Sequence, residues 1–418
     1  MAFFGYKRRA ALRLSTLKQF SCIESIKVVS VFCGISVGAS ILDSRLIPEK
    51  ILFVSHGAEF GGGERSLQLL IEGLRGQKSP PLIALVVPAK GALSSWAESE
   101  GITTFVHNIS ESKAQDYLTL ITCFFWWFAI LAMFRPTVIH ANDPSASRLL
   151  ILPSRTLGIP MVCHFRFIQS QEYYRWVFKR LPLPNFFVTV SFDSRDKLEV
   201  LFTKRMRTID LEVVHNAVDM GKFEPDLKAP DGARNFNVGI VANLQKVKGH
   251  EDFLKMAQLL LESNEPYAFH VVGTDLQRQG RLSKLQKMTK ELEISNHVTF
   301  HGAVENVADA IKMLDIVVCP SHEEPFGRTV IEAMSSGKPV VAYAVGGIVE
   351  IISSGYDGIL VDHGSISTLA TSVSSLCHDK TEYLKVAERG HLKVAAEFSA
   401  STYVAKMTDI FNRAIREK

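Results

Sequence analysis

Four short stretches of this 418-residue chain carry side chains able to do chemistry, each directly after an apolar run. In Phe60-Gly61-Gly62-Gly63-Glu64, three glycines let a ligand approach the backbone, and the amides of a helix opening there favour an anion. That reads as a phosphate or substrate loop, with a plain tight turn as the alternative. The spacing is neither G-x-G-x-x-G nor a Walker loop, so dinucleotide binding and ATP hydrolysis lose support. In Ser321-His322-Glu323-Glu324-Pro325-Phe326-Gly327-Arg328-Thr329-Val330-Ile331-Glu332-Ala333, Pro325 and Gly327 hold a loop open, and a helix starting near Arg328 offers unpaired N–H groups that could hold a diphosphate. Glu324 then lies at the mouth of a cleft and Glu332 one turn inside the helix. One carboxylate can clamp the neighbouring hydroxyls of a ribose while another meets a sugar ring at the far end of the diphosphate. Within Asn243–His250, Lys248 at a helix entry can neutralise charge growing on a departing phosphate, or can be an ordinary solubilising lysine. His140-Ala141-Asn142-Asp143 and His164-Phe165-Arg166 each follow a strand. Their histidines can hydrogen-bond a hydroxyl or phosphate, or can be buried and structural.

These residues need a frame. From Lys50 onward, short apolar runs alternate with segments of helical period. Ile51–Val54, Leu82–Val87, Thr103–His107, Thr137–His140, Pro160–His164, Phe187–Val190 and Glu212–Val214 read as strands without strict alternation, hence covered on both faces. A second series follows at Asn237–Val241, Phe269–Val272, Val298–Phe300, Ile316–Cys319, Pro339–Ala342 and Ile359–Val361. The fold class is α/β: two Rossmann-like parallel-sheet domains facing a central cleft, with ligands at the carboxyl ends of the strands. The expected division is an N-terminal extension at 1–49, a first domain at 50–215, a linker at 216–235 and a second domain at 236–395. A final helix at 396–418 would return to the first domain.

Composition sets limits on this picture. With 47% hydrophobic and 22% charged residues the chain is globular, and a net charge of +4 gives no reason to expect nucleic acid as a partner. Six cysteines without a C-x-x-C pair fit reduced thiols and a cytoplasmic location, free or peripheral on the cytoplasmic face of a membrane. The first fifty residues join Lys7, Arg8, Arg9, Arg13 and Lys18 to an apolar run, Val28–Leu42, shorter than the ~20 residues of a spanning helix. They resemble a leader, and the expectation is either a weak membrane anchor or a disordered or misassigned extension. Tyr117–Phe134 has no charge and contains Trp126 and Trp127. A helix lying in the membrane surface, its indoles in the headgroup layer, is preferred; a buried helix and a spanning one are the alternatives.

In these residues the chain resembles the retaining GT-B glycosyltransferases of the group 1 family (glycosyltransferase family 4), over about residues 50–415. The carriers are Gly62-Gly63-Glu64, Val213–Asp219 with its His215-Asn216-Ala217-Val218-Asp219, Lys248-Gly249-His250, His270–Gly273, Val298–Gly302, and Pro320–Gly347 with its Glu-x7-Glu. The resemblance implies transfer of a sugar, with retention, from a nucleotide sugar (UDP- or GDP-linked) to a glycan or lipid-linked glycan. Bacterial-type surface polysaccharide or glycolipid synthesis would be the setting, without a cofactor or metal. It makes Glu324, Lys248 and His164 catalytic. Gly62, Gly63, Asn243, Phe326, Gly327, Arg328, Thr329 and Glu332 would bind the donor, and Glu64, His140, Asn142 and Arg166 would face the acceptor. The chain departs from the family where Ala242-Asn243-Leu244 stands for the usual Gly-Arg-Leu, leaving Lys246 or Arg166 to replace a phosphate-binding arginine. No Asp-x-Asp, a usual magnesium-diphosphate ligand, occurs. An epimerase on the same fold and a noncatalytic sugar-nucleotide scaffold are the competing readings.

Overall fold

The computed structural model describes residues 48–107, 117–230, 235–276 and 279–417. The basic leader, Cys22, Cys33 and most of the loop before Tyr117 lie outside them. The first lobe runs β1 Lys50–Val54, α1 Gly62–Arg75, β2 Leu82–Val87, α2 Ala92–Ser99, β3 Thr103–Val106, α3 Tyr117–Phe134, β4 Val138–Ala141, α4 Pro144–Thr156, β5 Met161–Phe165, α5 Gln171–Val177, β6 Phe186–Thr189, α6 Phe192–Leu201 and β7 Leu211–Val213. The second runs β8 Phe236–Val241, α7 His250–Leu261, β9 Tyr267–Val272, α8 Arg281–Glu291, β10 Val298–Gly302, α9 Val307–Lys312, β11 Ile316–Cys319, α10 Arg328–Ser335, β12 Val340–Tyr343, α11 Ile348–Ile351, β13 Ile359–Val361, α12 Ile366–His378 and α13 Lys380–Glu397. Helix α14, Ala400–Arg416, ends the chain.

Each lobe is a parallel sheet, ordered β3-β2-β1-β4-β5-β6-β7 and β10-β9-β8-β11-β12-β13. The central strands are buried on both faces because helices cover both, which explains their apolar runs, whereas the edge strands β3, β7 and β10 are partly exposed. In each sheet the order reverses beside the first strand, between β1 and β4 and between β8 and β11. A crevice opens at such a point outside the carboxyl ends of the strands. Every stretch singled out for its chemistry follows one of these strands or their neighbour β5. Topology therefore collects the site.

Helix α14 packs Tyr403, Val404, Met407, Ile410 and Phe411 into the core of the first lobe beside Leu67, Leu70 and Leu74 of α1. The chain thus ends against the lobe in which the described residues begin. Helix α3 is built into this lobe as well. Trp127 is fully buried against the sheet with Leu131, and Trp126 stacks on His107 at 3.9 Å. The indoles expected at a headgroup layer are therefore engaged by the lobe, Trp127 sharing this face of the sheet with Leu149 and Leu150 of α4. No described helix is long and apolar enough to cross a membrane.

Candidate active site

The second lobe brings two of the expected groups into direct contact. Lys248, on a 3-10 turn Lys246–Lys248, donates to Glu324 Oε2 at 2.6 Å. The side chains are 22% and 14% exposed, so the pair is shielded yet reachable from the cleft. Burial works against the Lys248 ammonium, but the charge and hydrogen bond of Glu324 outweigh it and raise the lysine's pKa. Ser321 Oγ also reaches Glu324, at 3.4 Å.

Close backbone packing makes this meeting possible. Gly249 holds φ +72°, and a Cβ there would sit 1.8 Å from the Pro320 carbonyl oxygen. His322 N–H donates to the Val247 carbonyl at 2.7 Å, fastening the two loops next to the pair. On the other side Gly346, at φ +52°, lies against the Glu324 carbonyl, where a Cβ would approach to 2.0 Å. Helix α10 opens at Gly327, and Thr329 Oγ1 donates to the Val241 carbonyl at 3.1 Å, which ties its first turn to the end of β8. Phe326 is buried against His215 and Phe398. Asn243 is half-buried, and its side chain makes no hydrogen bond among the described residues.

Glu332 accepts from Arg328 Nη2 at 2.9 Å, and Arg328 Nη1 crosses to the Gly62 carbonyl of the first lobe at 2.7 Å. A cavity of about 430 Å³ opens here, lined by Arg65 and Glu72 of α1, Asn306 at the start of α9, and Arg328 and Glu332 of α10.

The first lobe departs more from expectation. Glu64 is a helix cap: its carboxylate accepts from the Gly61 N–H at 3.2 Å and from Ser55 Oγ at 3.3 Å, satisfying an amide that α1 leaves unpaired. Two of its acceptor sites are thus engaged in local structure. Gly62 and Gly63 open α1 and face Arg328 and Arg166 respectively. Arg166 is buried and tied to Asn142 Oδ1 through Nε and Nη2 at 3.1 and 3.0 Å, to Asn216 at 2.9 Å and to Tyr403 at 3.1 Å. With these bonds made, Arg166 ties the ends of β4 and β5 to the linker residue Asn216 and to α14. Asn142 serves as its acceptor. Lys246 is exposed.

His140 and His164 are both fully buried, with Nε2 of the first 3.3 Å from Nδ1 of the second. Burial, with the charge of Arg166 adding to it, holds both well below the ordinary imidazole pKa, so both are neutral. His140 packs edge-on against Phe53 and Phe411, a core position. Each ring keeps one buried nitrogen without a hydrogen-bond partner among the described residues, Nδ1 of His140 and Nε2 of His164.

One cluster escaped the sequence reading. Glu350 on α11 accepts from the N–H groups of Phe192 and Asp193 at 3.0 and 2.9 Å and contacts His215 Nε2 at 2.8 Å. Beside it, Ser191 Oγ donates to the Pro325 carbonyl at 2.6 Å. The first lobe thus grips the loop that carries Glu324. The Gly346-Gly347 pair was the one local signal that a loop lies close; nothing local points from Glu350 to α6.

Residues 230–393 match the family model described as glycosyl transferases group 1. The D-inositol 3-phosphate glycosyltransferase of Corynebacterium kroppenstedtii is 28% identical over 221 residues, 50% of this chain and 49% of that protein. The N-acetyl-alpha-D-glucosaminyl L-malate synthase of Bacillus anthracis is 27% identical over 178 residues, 42% of this chain and 45% of its own. The chain spans about half the length of these curated relatives. The crystal structure of Anabaena HepE in complex with UDP and glucose superposes with a TM-score of 0.73 at 21% identity, covering 87% of this chain and 99% of that one. The second lobe of this chain thus matches the group 1 glycosyl transferase domain, set in a two-lobed GT-B fold.

Proposed function

We propose that this protein transfers a sugar, with retention, from a nucleotide-sugar donor to a hydroxyl of a glycan or lipid-linked glycan. The observation that carries the reading is the Lys248–Glu324 pair held at 2.6 Å where two strand ends meet, beside the opening turn of α10. A donor diphosphate fits the ammonium and the α10 amides, with Glu324 turned to the sugar and the nucleoside in the cavity beside Glu332. His164 Nε2 offers a buried donor or acceptor to a sugar hydroxyl. UDP is favoured as the nucleotide by the likeness to HepE.

Chemically, the bond from the anomeric carbon to the diphosphate oxygen breaks, and the bond to the acceptor oxygen forms on the same face. The acceptor proton passes to the departing phosphate oxygen. Lys248 and the helix amides hold the charge that grows there. This arrangement supplies the positive charge that a bound metal gives other transferases, so turnover is expected to survive exhaustive treatment with EDTA. A loss of turnover restored by magnesium would reject that part of the reading.

The test is a thermal-shift screen with UDP-, GDP-, ADP- and CMP-sugars followed by product analysis with and without acceptor. One sugar nucleotide should raise the melting temperature, and its sugar should appear on acceptor. Conversion of the donor without acceptor would assign an epimerase; tight binding without any turnover would assign a scaffold.

A further inference from the structure

A second built hollow lies at the opposite end of the first lobe from the carboxyl-end site. Its walls are the returns that lead from α5 and α6 into the amino ends of β6 and β7. It encloses about 620 Å³, with Tyr174, Phe178, Leu183 and Met206 as an apolar floor and Arg175, Lys179, Arg180 and Arg205 at its rim. Helix α4 fixes the floor: Arg148 stacks on Trp176 at 4.5 Å and donates to the Val177 carbonyl at 2.9 Å, while Arg155 donates to the Leu183 carbonyl at 2.6 Å.

The charge here is one-sided. Segments 173–192 and 200–209 hold six cations (Arg175, Lys179, Arg180, Lys204, Arg205 and Arg207) and no acid. Glu172 is the single carboxylate among the lining residues. All six cations are exposed, and none forms an ion pair among the described residues. A chain of net charge +4 has thus gathered four cations against one carboxylate at this hollow, with Lys204 and Arg207 on the same segment as Arg205. Alongside, helices α3, α4 and α5 lie in sequence, and the outer face of the first two shows Phe125 at 64%, Met133 at 66% and Leu152 at 44% exposure.

Cations ringing an apolar floor, next to protruding apolar side chains, match a surface that offers phosphates and acyl chains together. We infer that this face docks on an anionic phospholipid bilayer, with lipid phosphates at the basic rim and Phe125 and Met133 entering the headgroup boundary. Helix α3 then contributes through its outward side chains, with its indoles kept for the core. The inference does not depend on the proposed transfer, because it is read by membrane binding alone.

The test is co-sedimentation of the full chain with vesicles of phosphatidylcholine containing or lacking phosphatidylglycerol, at low and high salt. Binding should require the anionic lipid and weaken with salt. Each cation near such a surface is worth roughly fivefold in partition, so K179Q/R180Q should bind roughly 30-fold less. K204Q/R207Q, on the other segment, should behave alike and guards against a folding defect in the first. Nucleotide release on a soluble acceptor should be unchanged in both. Vesicle binding equal to wild type in both variants would place the attachment elsewhere in the chain and overturn the inference. So would equal binding to neutral vesicles, absence of binding, or capture of an oligonucleotide in place of vesicles.

Discussion

Lys248 and Glu324 hold each other in a shielded place where either alone would carry an unbalanced charge. If they meet the diphosphate and the sugar, removing either should slow turnover even where the variant remains folded. K248A and E324A are each expected to lower turnover by roughly 10²–10³-fold, the scale of losing one group that stabilises developing charge. Each variant also leaves the other charge unpaired, so its thermal midpoint should fall, and turnover is compared at a temperature where the variant is folded. Either variant turning over at the wild-type rate in a nucleotide-release assay ends the assignment. The buried histidines give a prediction in pH. Both are held below the ordinary value of 6.5, chiefly by burial. Between the folded and unfolded values the unfolded chain binds more protons, so their contribution is complete above about pH 6.5 and is lost as pH falls. The thermal midpoint should therefore drop as the solution is acidified below that point, and H140Q/H164Q should flatten the slope. Equal slopes in the two proteins would assign the acid sensitivity to other groups.

Among the elements, the loop after β8 and the loop after β11 act as one piece because glycine backbone lies directly against carbonyl oxygens. G249A adds a Cβ where only 1.8 Å is free and forces a non-glycine residue to φ +72°. A loss of roughly 2–4 kcal/mol is expected from the conformational penalty and the clash together. Because the clash falls beside Lys248, activity should fall even at temperatures where the variant is folded; a variant with full stability by urea melts would contradict the packing. Both loops were legible in the sequence, since lysine, glutamates, proline and glycine stand at strand ends. Their mutual contact was not. Glu64 shows the reverse case: a glutamate one residue past the glycines looked available, but three residues into a helix it caps the preceding amide.

Across the whole molecule, Glu350 and Ser191 fasten one lobe to the loop on which the other lobe's chemistry depends. E350A should loosen that grip, raising the radius of gyration in small-angle scattering and raising the donor KM several-fold. A scattering curve and KM identical to wild type would show that the grip is not needed for closure. Burial pushes the Glu350 carboxyl up, but His215 and the two N–H donors more than compensate and lower it below the ordinary 4.5. The grip therefore contributes above that pH and fades as pH drops through the lowered value.

By itself the sequence determined the two parallel sheets, the strand ends that carry the site and the side chains offered there, because burial on both faces and helix-start chemistry are written in neighbouring residues. The tertiary structure alone decided which of those side chains are free. Arg166 is consumed by Asn142, Asn216 and Tyr403, the last 237 positions away, while Trp127 turns into the core and Glu350 reaches across to α6. Hydrogen-bond partners and the face a helix buries are set by what folds against them, and that neighbour is remote in the chain.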